Sequence, residues 1–479
     1  MKIETHPVVD TAHPESDAPF KIETHGIDII PDGDRHGTPI ELFWIWAGAL
    51  MGIVDLVIGA VVISLGLNLW AAVAAIVIGN LSYVFVGLAA MNGPAAGTST
   101  IVVSRAAFGV RGNAPTNLLS FLTIVGWEGV NSVVGVLALI ALFGVIGLGS
   151  SGAVKALAIV IFLIIMVTWA IFGHATLVVI NRALLIILGI AMLGVLFFGF
   201  QHVKWNYAGG PLAASNQVTT FILAVMIVAA ANGFAFMNMP TDYSRYLPKN
   251  TSRRQIALAS ALGPFIPATL LNAAGAFIGT GLNAFDPIGS LQKVVPGWFL
   301  VFFLLVAIVS MVAANTINTY SSGLNLLALG LRMPRYRTVV IDAVLAGAFV
   351  FYALFINNFV DTLISFLSLM IWWIVPWSGI YLVDMVLRKY QYKSEDLLAT
   401  RGGIYWYNNG VNWNAIIALV VGAICAAAVT NSTLFVSPLS KGPLGGMDLS
   451  IPIGFIVGGG LYYVLQTRRP SPRLAEQTA

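Results

Sequence analysis

Charge is scarce in this chain, where Asp, Glu, Lys and Arg together make up 9% of 479 residues. A water-soluble globular chain carries roughly 25%, so water is not its main solvent. The single cysteine, Cys425, excludes an intrachain disulfide and leaves the redox compartment unread. Histidine is nearly as sparse: six residues, four of them (His6, His13, His25, His36) in the polar first 38 positions, at spacings that match no metal site. Those 38 positions also lack an apolar core preceded by positive charge, which argues for a cytoplasmic tail and against a signal peptide. Neither H-E-x-x-H nor G-x-S-x-G occurs, so the common hydrolytic motifs are absent and no enzyme is expected. No cofactor, nucleic acid or obligatory protein partner is indicated.

What the chain has instead is apolar length. It is 58% hydrophobic, with a mean hydropathy of +0.88 and a pI near 9.1. Runs of about 20 apolar residues, the length that crosses a bilayer, begin near 41, 69, 115, 153, 182, 218, 254, 297, 338, 360, 413 and 449. With the amino terminus inside, 20 of the 24 Lys and Arg fall on inner segments, and only Lys155, Lys204, Lys293 and Lys441 on outer ones. The positive-inside bias therefore favours twelve spans with both ends in the cytoplasm. This is an all-α polytopic membrane protein, expected in the plasma (inner) membrane.

Its expected organisation is a tail over 1–38, five helices over 39–202, five more over 203–388, a cytoplasmic loop over 389–412, helices eleven and twelve over 413–466, and a tail over 467–479. The first span holds Ala47-Gly48-Ala49-Leu50-Met51-Gly52, and the sixth holds Asn232-Gly233 with Pro240 beyond. Glycine and proline there weaken a straight helix. Paired interruptions point to two inverted repeats whose broken helices offer backbone to a midplane ligand. Close packing by small residues is the other use of such glycines.

Polar groups cluster in equivalent spans of the two halves. In the third, Gly126-Trp127-Glu128-Gly129-Val130-Asn131 places an indole, a carboxylate and an amide within about one and a half turns. In the eighth, Asn315 lies 17 residues from both Trp298 and Arg332, near the midplane, and Asn318 follows at i+3. Taken singly, asparagines serve as interhelical glue and tryptophan as packing. Together, an amide matches the N–H and C=O edge of a heterocyclic base, and an indole stacks on a planar ring. With no arginine cluster for a phosphate, the ligand expected is a neutral planar heterocycle.

For coupling, Glu128 and Asp55 are intramembrane carboxylates able to carry a proton. Ser310, Thr316 and first-helix carbonyls near Gly48 keep sodium open. A channel or a membrane enzyme fits the paired amides and aromatics less well than a closed pocket does.

The chain also resembles the purine-cytosine permeases of the nucleobase-cation-symport-1 group. The likeness runs through Ile22-Glu23-Thr24-His25-Gly26-Ile27-Asp28, Arg35-His36-Gly37-Thr38-Pro39, Leu42-Phe43-Trp44-Ile45-Trp46 and Ser104-Arg105-Ala106-Ala107-Phe108-Gly109-Val110-Arg111-Gly112. It continues through the Gly126 to Asn131 string, Asp242-Tyr243-Ser244-Arg245-Tyr246 and Ala314-Asn315-Thr316-Ile317-Asn318-Thr319-Tyr320-Ser321-Ser322-Gly323-Leu324. The resemblance implies two inverted five-helix repeats with broken helices 1 and 6, plus two C-terminal helices. It implies a nucleobase held among helices 1, 3, 6 and 8, with Trp127 stacking and Asn131, Asn315 and Asn318 on its polar edge. Where relatives carry a helix-6 tryptophan this chain has Phe234 or Phe236, and Leu50 stands where they carry a polar residue. The expected activity is import of cytosine or purines by cation symport, with a co-transported proton favoured over sodium. Sodium-coupled uptake of another heterocycle (allantoin, hydantoin or a vitamin-like ring) is the alternative.

Overall fold

A computed structural model describes residues 26–170, 174–210, 216–283, 287–331, 335–432 and 434–468. Most of both predicted tails, residues 1–25 and 469–479, lies outside the described residues. Among those described there is no β-strand beyond isolated bridges. Among the described residues, eight helices are long and apolar enough to cross a membrane, or nine if a bent pair counts as one span.

The bent pair is the first span. Helix α1 (Pro39–Ala49) starts at a Thr38 cap that Glu41 reciprocates, with Pro39 in its first turn, a combination that satisfies backbone donors a helix start leaves open. It stops at Ala49, and α2 (Ile53–Ser64) restarts from Gly52 in extended conformation, bent by 64° from α1. The following span is α3 (Leu69–Asn80) and α4 (Tyr83–Ala90), joined at Ser82, whose hydroxyl donates to Gly79 O.

The long α5 (Asn113–Val145) has 33 residues, and α6 (Gly152–Ala170) and α7 (His174–Phe200) follow it. Next, α8 (Gln217–Ala231) ends at Asn232, whose φ of −112° and ψ of −100° leave the helical region. A 3-10 turn (Gly233–Phe236) leads to the short α9 (Pro240–Ser244). Then come α10 (Arg253–Gly279), α11 (Gly297–Ala328), α12 (Arg335–Phe351), α13 (Phe359–Leu387), α14 (Trp413–Ala428) and α15 (Ser450–Arg468).

The two interruptions sit where the glycines and Pro240 indicated, because neither segment can continue its ladder of backbone bonds there. Two stretches without long apolar runs are nonetheless folded into the protein. Residues 93–108 form three one-turn helices with Thr98, Ser99 and Thr100 fully buried. The stretch 389–412 contains a short helix (Ser394–Leu398), and Leu397 and Tyr405 are buried.

Backbones meet most closely where α2 crosses α10. A Cβ on Gly59 would lie 1.7 Å from Asn272 O, and one on Gly275 would lie 2.0 Å from Leu56 O, so only glycine permits the crossing. The exterior is apolar, with Trp70, Leu193, Trp298 and Val344 between 64% and 73% exposed, while asparagines and carboxylates are inside. That inversion of the soluble pattern is what a hydrocarbon solvent imposes.

Candidate substrate-binding site

The two helix interruptions face α5 and α11 across a cavity of about 40 Å³. That is room for a few water molecules. Leu50, Gly52 and Asp55 line it from the first break, Asn232 and Phe236 from the second, Trp127 and Asn131 from α5, and Met311, Ala314 and Asn318 from α11.

Trp127 lies nearly parallel to Phe236, centroids 6.3 Å apart at 20°, and meets Phe366 edge-on at 5.5 Å. Gly126 makes room for that edge contact, since a Cβ there would sit 2.2 Å from the Phe366 ring. The Trp127 Nε1 donor is buried without a partner. Two parallel rings hold a third between them at about 7 Å, twice the ~3.5 Å van der Waals separation, so this slot is a little short of that spacing.

The amides divide into two jobs. Asn315 is fully buried and donates to Glu128 O at 3.2 Å, Ser132 Oγ at 2.9 Å and Met166 Sδ at 3.1 Å. Its Oδ1 accepts from Asn131 Nδ2 at 3.1 Å. Asn315 therefore does not line the cavity and instead orients Asn131, which does. Asn318 lines it too.

Asp55 is in the first turn of α2, where the helix dipole favours an anion. Its carboxylate accepts from Asn272 Nδ2 at 3.1 Å, and Asn272 Oδ1 accepts from Asn232 Nδ2 at 2.9 Å. A chain of three side chains thus joins the two breaks.

The other sequence candidates lie away from the cavity. Phe234 packs on Phe85 and Phe455, because residues two apart in a 3-10 turn point to different sides. Ser310 and Thr316 donate to carbonyls of their own helix, Ala307 O and Val312 O, at 2.8 Å each. Gly48 is buried within α1. Glu128 is fully buried beside Thr319 and Ser322, with Asp342 nearby on α12. Sequence reasoning passed over Asn272 and Asp342, although each is a polar residue in an apolar run and the rule that singled out Glu128 covers both.

A model of the family described as "Permease for cytosine/purines, uracil, thiamine, allantoin" matches residues 29–458. The chain belongs to the purine-cytosine permease family. This permease is 29% identical to the putative purine-cytosine permease YxlA of Bacillus subtilis, over 96% of its own length and 99% of that protein. It is 25% identical to the purine-uracil permease NCS1 of Arabidopsis thaliana, covering 90% and 75% of the two chains. Purine-cytosine permease fcyB of Emericella nidulans is 24% identical over 94% of the permease and 89% of that protein.

Among solved structures, Mhp1, a nucleobase-cation-symport-1 family transporter in a closed conformation with bromovinylhydantoin bound, matches with a TM-score of 0.74 at 20% identity, covering 96% of the permease and 98% of Mhp1. A Na+-coupled sialic acid symporter matches at 0.61 and 13% identity, over 91% of each chain. The permease thus has the Mhp1-like transporter fold. It is an integral membrane transporter of the nucleobase type, not an enzyme.

Proposed function

We propose that this permease imports cytosine or a purine by proton symport across the plasma membrane, with both termini in the cytoplasm. The fold we infer is twelve transmembrane helices: two inverted five-helix repeats (39–202 and 203–388) with helices 1 and 6 broken, a loop over 389–412, and two more helices over 413–466. The observation that carries the reading is the near-parallel pair of Trp127 and Phe236 flanking Asn131 and Asn318 at the meeting point of both breaks. A planar base entering there stacks on two rings while the amides serve its donor and acceptor edge. A small outward shift of Phe236 opens the slot to the thickness of one ring.

Proton rather than sodium coupling is supported by the side chains. Ser310 and Thr316 point their hydroxyl hydrogens at carbonyls of their own helix and do not line the cavity, whereas Glu128 and Asp55 are buried carboxyls able to carry a proton. The hydantoin in Mhp1 supports a second reading, sodium-coupled uptake of a hydantoin or allantoin. Uptake of radiolabelled cytosine into liposomes, with unlabelled bases, hydantoin and allantoin as competitors, separates the two. Cytosine or a purine should compete best, and preferential inhibition by hydantoin or allantoin would move the substrate to the second class.

A further inference from the structure

Two carboxyl groups lie deep in the helical bundle outside the cavity. Glu128 and Asp342 are both 0% exposed. They approach one hydroxyl from two helices: Ser322 Oγ donates to Asp342 Oδ2 at 2.5 Å, and the same Ser322, with Thr319, stands beside the Glu128 carboxyl. Both carboxyl oxygens of Glu128 and Oδ1 of Asp342 are buried with no hydrogen-bond partner.

Among the described side chains, the packed elements bring no positive charge to this place. Helix α5 has no charged residue besides Glu128, α11 has none, and α6 has only Lys155, which lies over the Phe355 ring. Helix α12 carries Arg335 and Arg337 in its opening turn, and Arg337 is exposed. Two neighbouring anions are disfavoured in so apolar a setting, and a shared proton removes one of the two charges.

We propose that Glu128 and Asp342 form one proton-binding site bridged by Ser322, distinct from the substrate cavity and coupled to it through Asn315. The coupling path is short. Asn315 donates to the Glu128 backbone carbonyl and accepts from Asn131 in the cavity, while Thr319 donates to Asn315 O at 2.9 Å. Once Glu128 turns its protonated carboxyl onto Ser322 Oγ, Ser322 gives its hydroxyl hydrogen to Asp342 and takes the Glu128 proton in exchange. The hydroxyl is regenerated, and the negative charge passes from Asp342 to Glu128. Carboxyls that share a proton in this way titrate as a pair.

This deepens the proton-symport reading and rests on it for its transport consequence, so the test has an arm that needs no substrate. The infrared spectrum of the purified permease at neutral pH should contain a protonated-carboxyl stretch that changes in position or amplitude in both Asp342→Asn and Glu128→Gln. A spectrum unaltered in both overturns the site.

In liposomes, counterflow of radiolabelled cytosine or adenine measures exchange that needs no net proton movement. Asp342→Asn should keep counterflow within about twofold of wild type and lose roughly tenfold or more in accumulation driven by a pH gradient. Wild-type accumulation in that variant overturns the proposal. If Asp342→Asn does not fold, Ser322→Ala decides: it should slow pH-driven uptake severalfold with counterflow intact, and no slowing overturns the bridge. A wild type without counterflow for any base would sink the nucleobase reading instead, and the infrared arm would still judge the carboxyl pair.

Discussion

Trp127 is the residue on which substrate affinity should turn. Stacking of a base on an aromatic side chain is worth roughly 1 to 3 kcal/mol, so Trp127→Ala should weaken competition by cytosine or adenine about tenfold or more, and Trp127→Phe by less. Asn318→Leu should lower affinity for every good substrate, since a site built around a polar edge is penalised when its partner is left unpaired. Inhibition constants from competitive uptake, at matched membrane abundance, check both, and unchanged constants would remove these residues from the pocket. Trp127, Asn131 and Asn318, which line the cavity, were legible as candidates because an indole or amide in an apolar run stands out. Which of Phe234 and Phe236 faces the cavity was not, since that depends on the 3-10 turn at Gly233–Phe236. Nor could the difference between Asn315 and Asn318 be read, because it depends on how α5 docks against α11. The Glu128, Ser322 and Asp342 grouping needs three helices in place before it exists.

Among the elements, the crossing of α2 and α10 fixes the first break. Asp55 and Asn272 can meet because Gly59 and Gly275 let the two backbones touch. Gly59→Leu places a Cβ against Asn272 O, and the overpacking should cost about 1 to 3 kcal/mol or more. Gly460→Leu, where a Cβ meets nothing within 4 Å, should be tolerated. Thermal unfolding in detergent, followed by size-exclusion profile, should show the first variant melting lower or aggregating and the second unchanged; equal melting would mean that the crossing does not set stability. Long helices were legible from hydropathy because lipid demands continuous apolar length. The segments over 93–108 and 389–412 were not, because their order comes from long-range bonds. Arg105 Nη1 donates to Leu397 O at 2.9 Å, and Asn412 Nδ2 to Ala107 O at 2.7 Å, contacts that no local pattern announces.

At the scale of the whole molecule, the pH response separates two kinds of charge. Residues 26–38 strap across the end of the bundle that we assign to the cytoplasm: Ile30 N donates to Gly97 O, His36 N to Tyr246 O, and Arg35 Nη1 to Pro94 O. Lys249 Nζ lies 2.9 Å from the exposed Asp32 carboxylate. The hydrogen bond from Lys249 holds the Asp32 carboxyl below its usual 3.8. A carboxyl depressed in the folded state contributes its stabilisation above the unfolded value and loses it only as pH falls through the lowered one. The Asp32–Lys249 contact is therefore intact throughout pH 5 to 8, and it should add nothing to a pH dependence in that window. Among the described residues, Glu128 and Asp342 have no such ion pair. We expect wild-type uptake in liposomes to rise with an imposed inward proton gradient and to ignore a sodium gradient. Lys249→Met should leave the pH profile of cytosine uptake unchanged, with His36→Gln as the control for the one strap histidine among the described residues. Glu128→Gln should flatten it, because the amide keeps the shape of the side chain and cannot titrate. A profile that follows Lys249 or His36 would place the proton sensor in the strap, and uptake driven by sodium alone would return attention to Ser310, Thr316 and the carbonyls near Gly48.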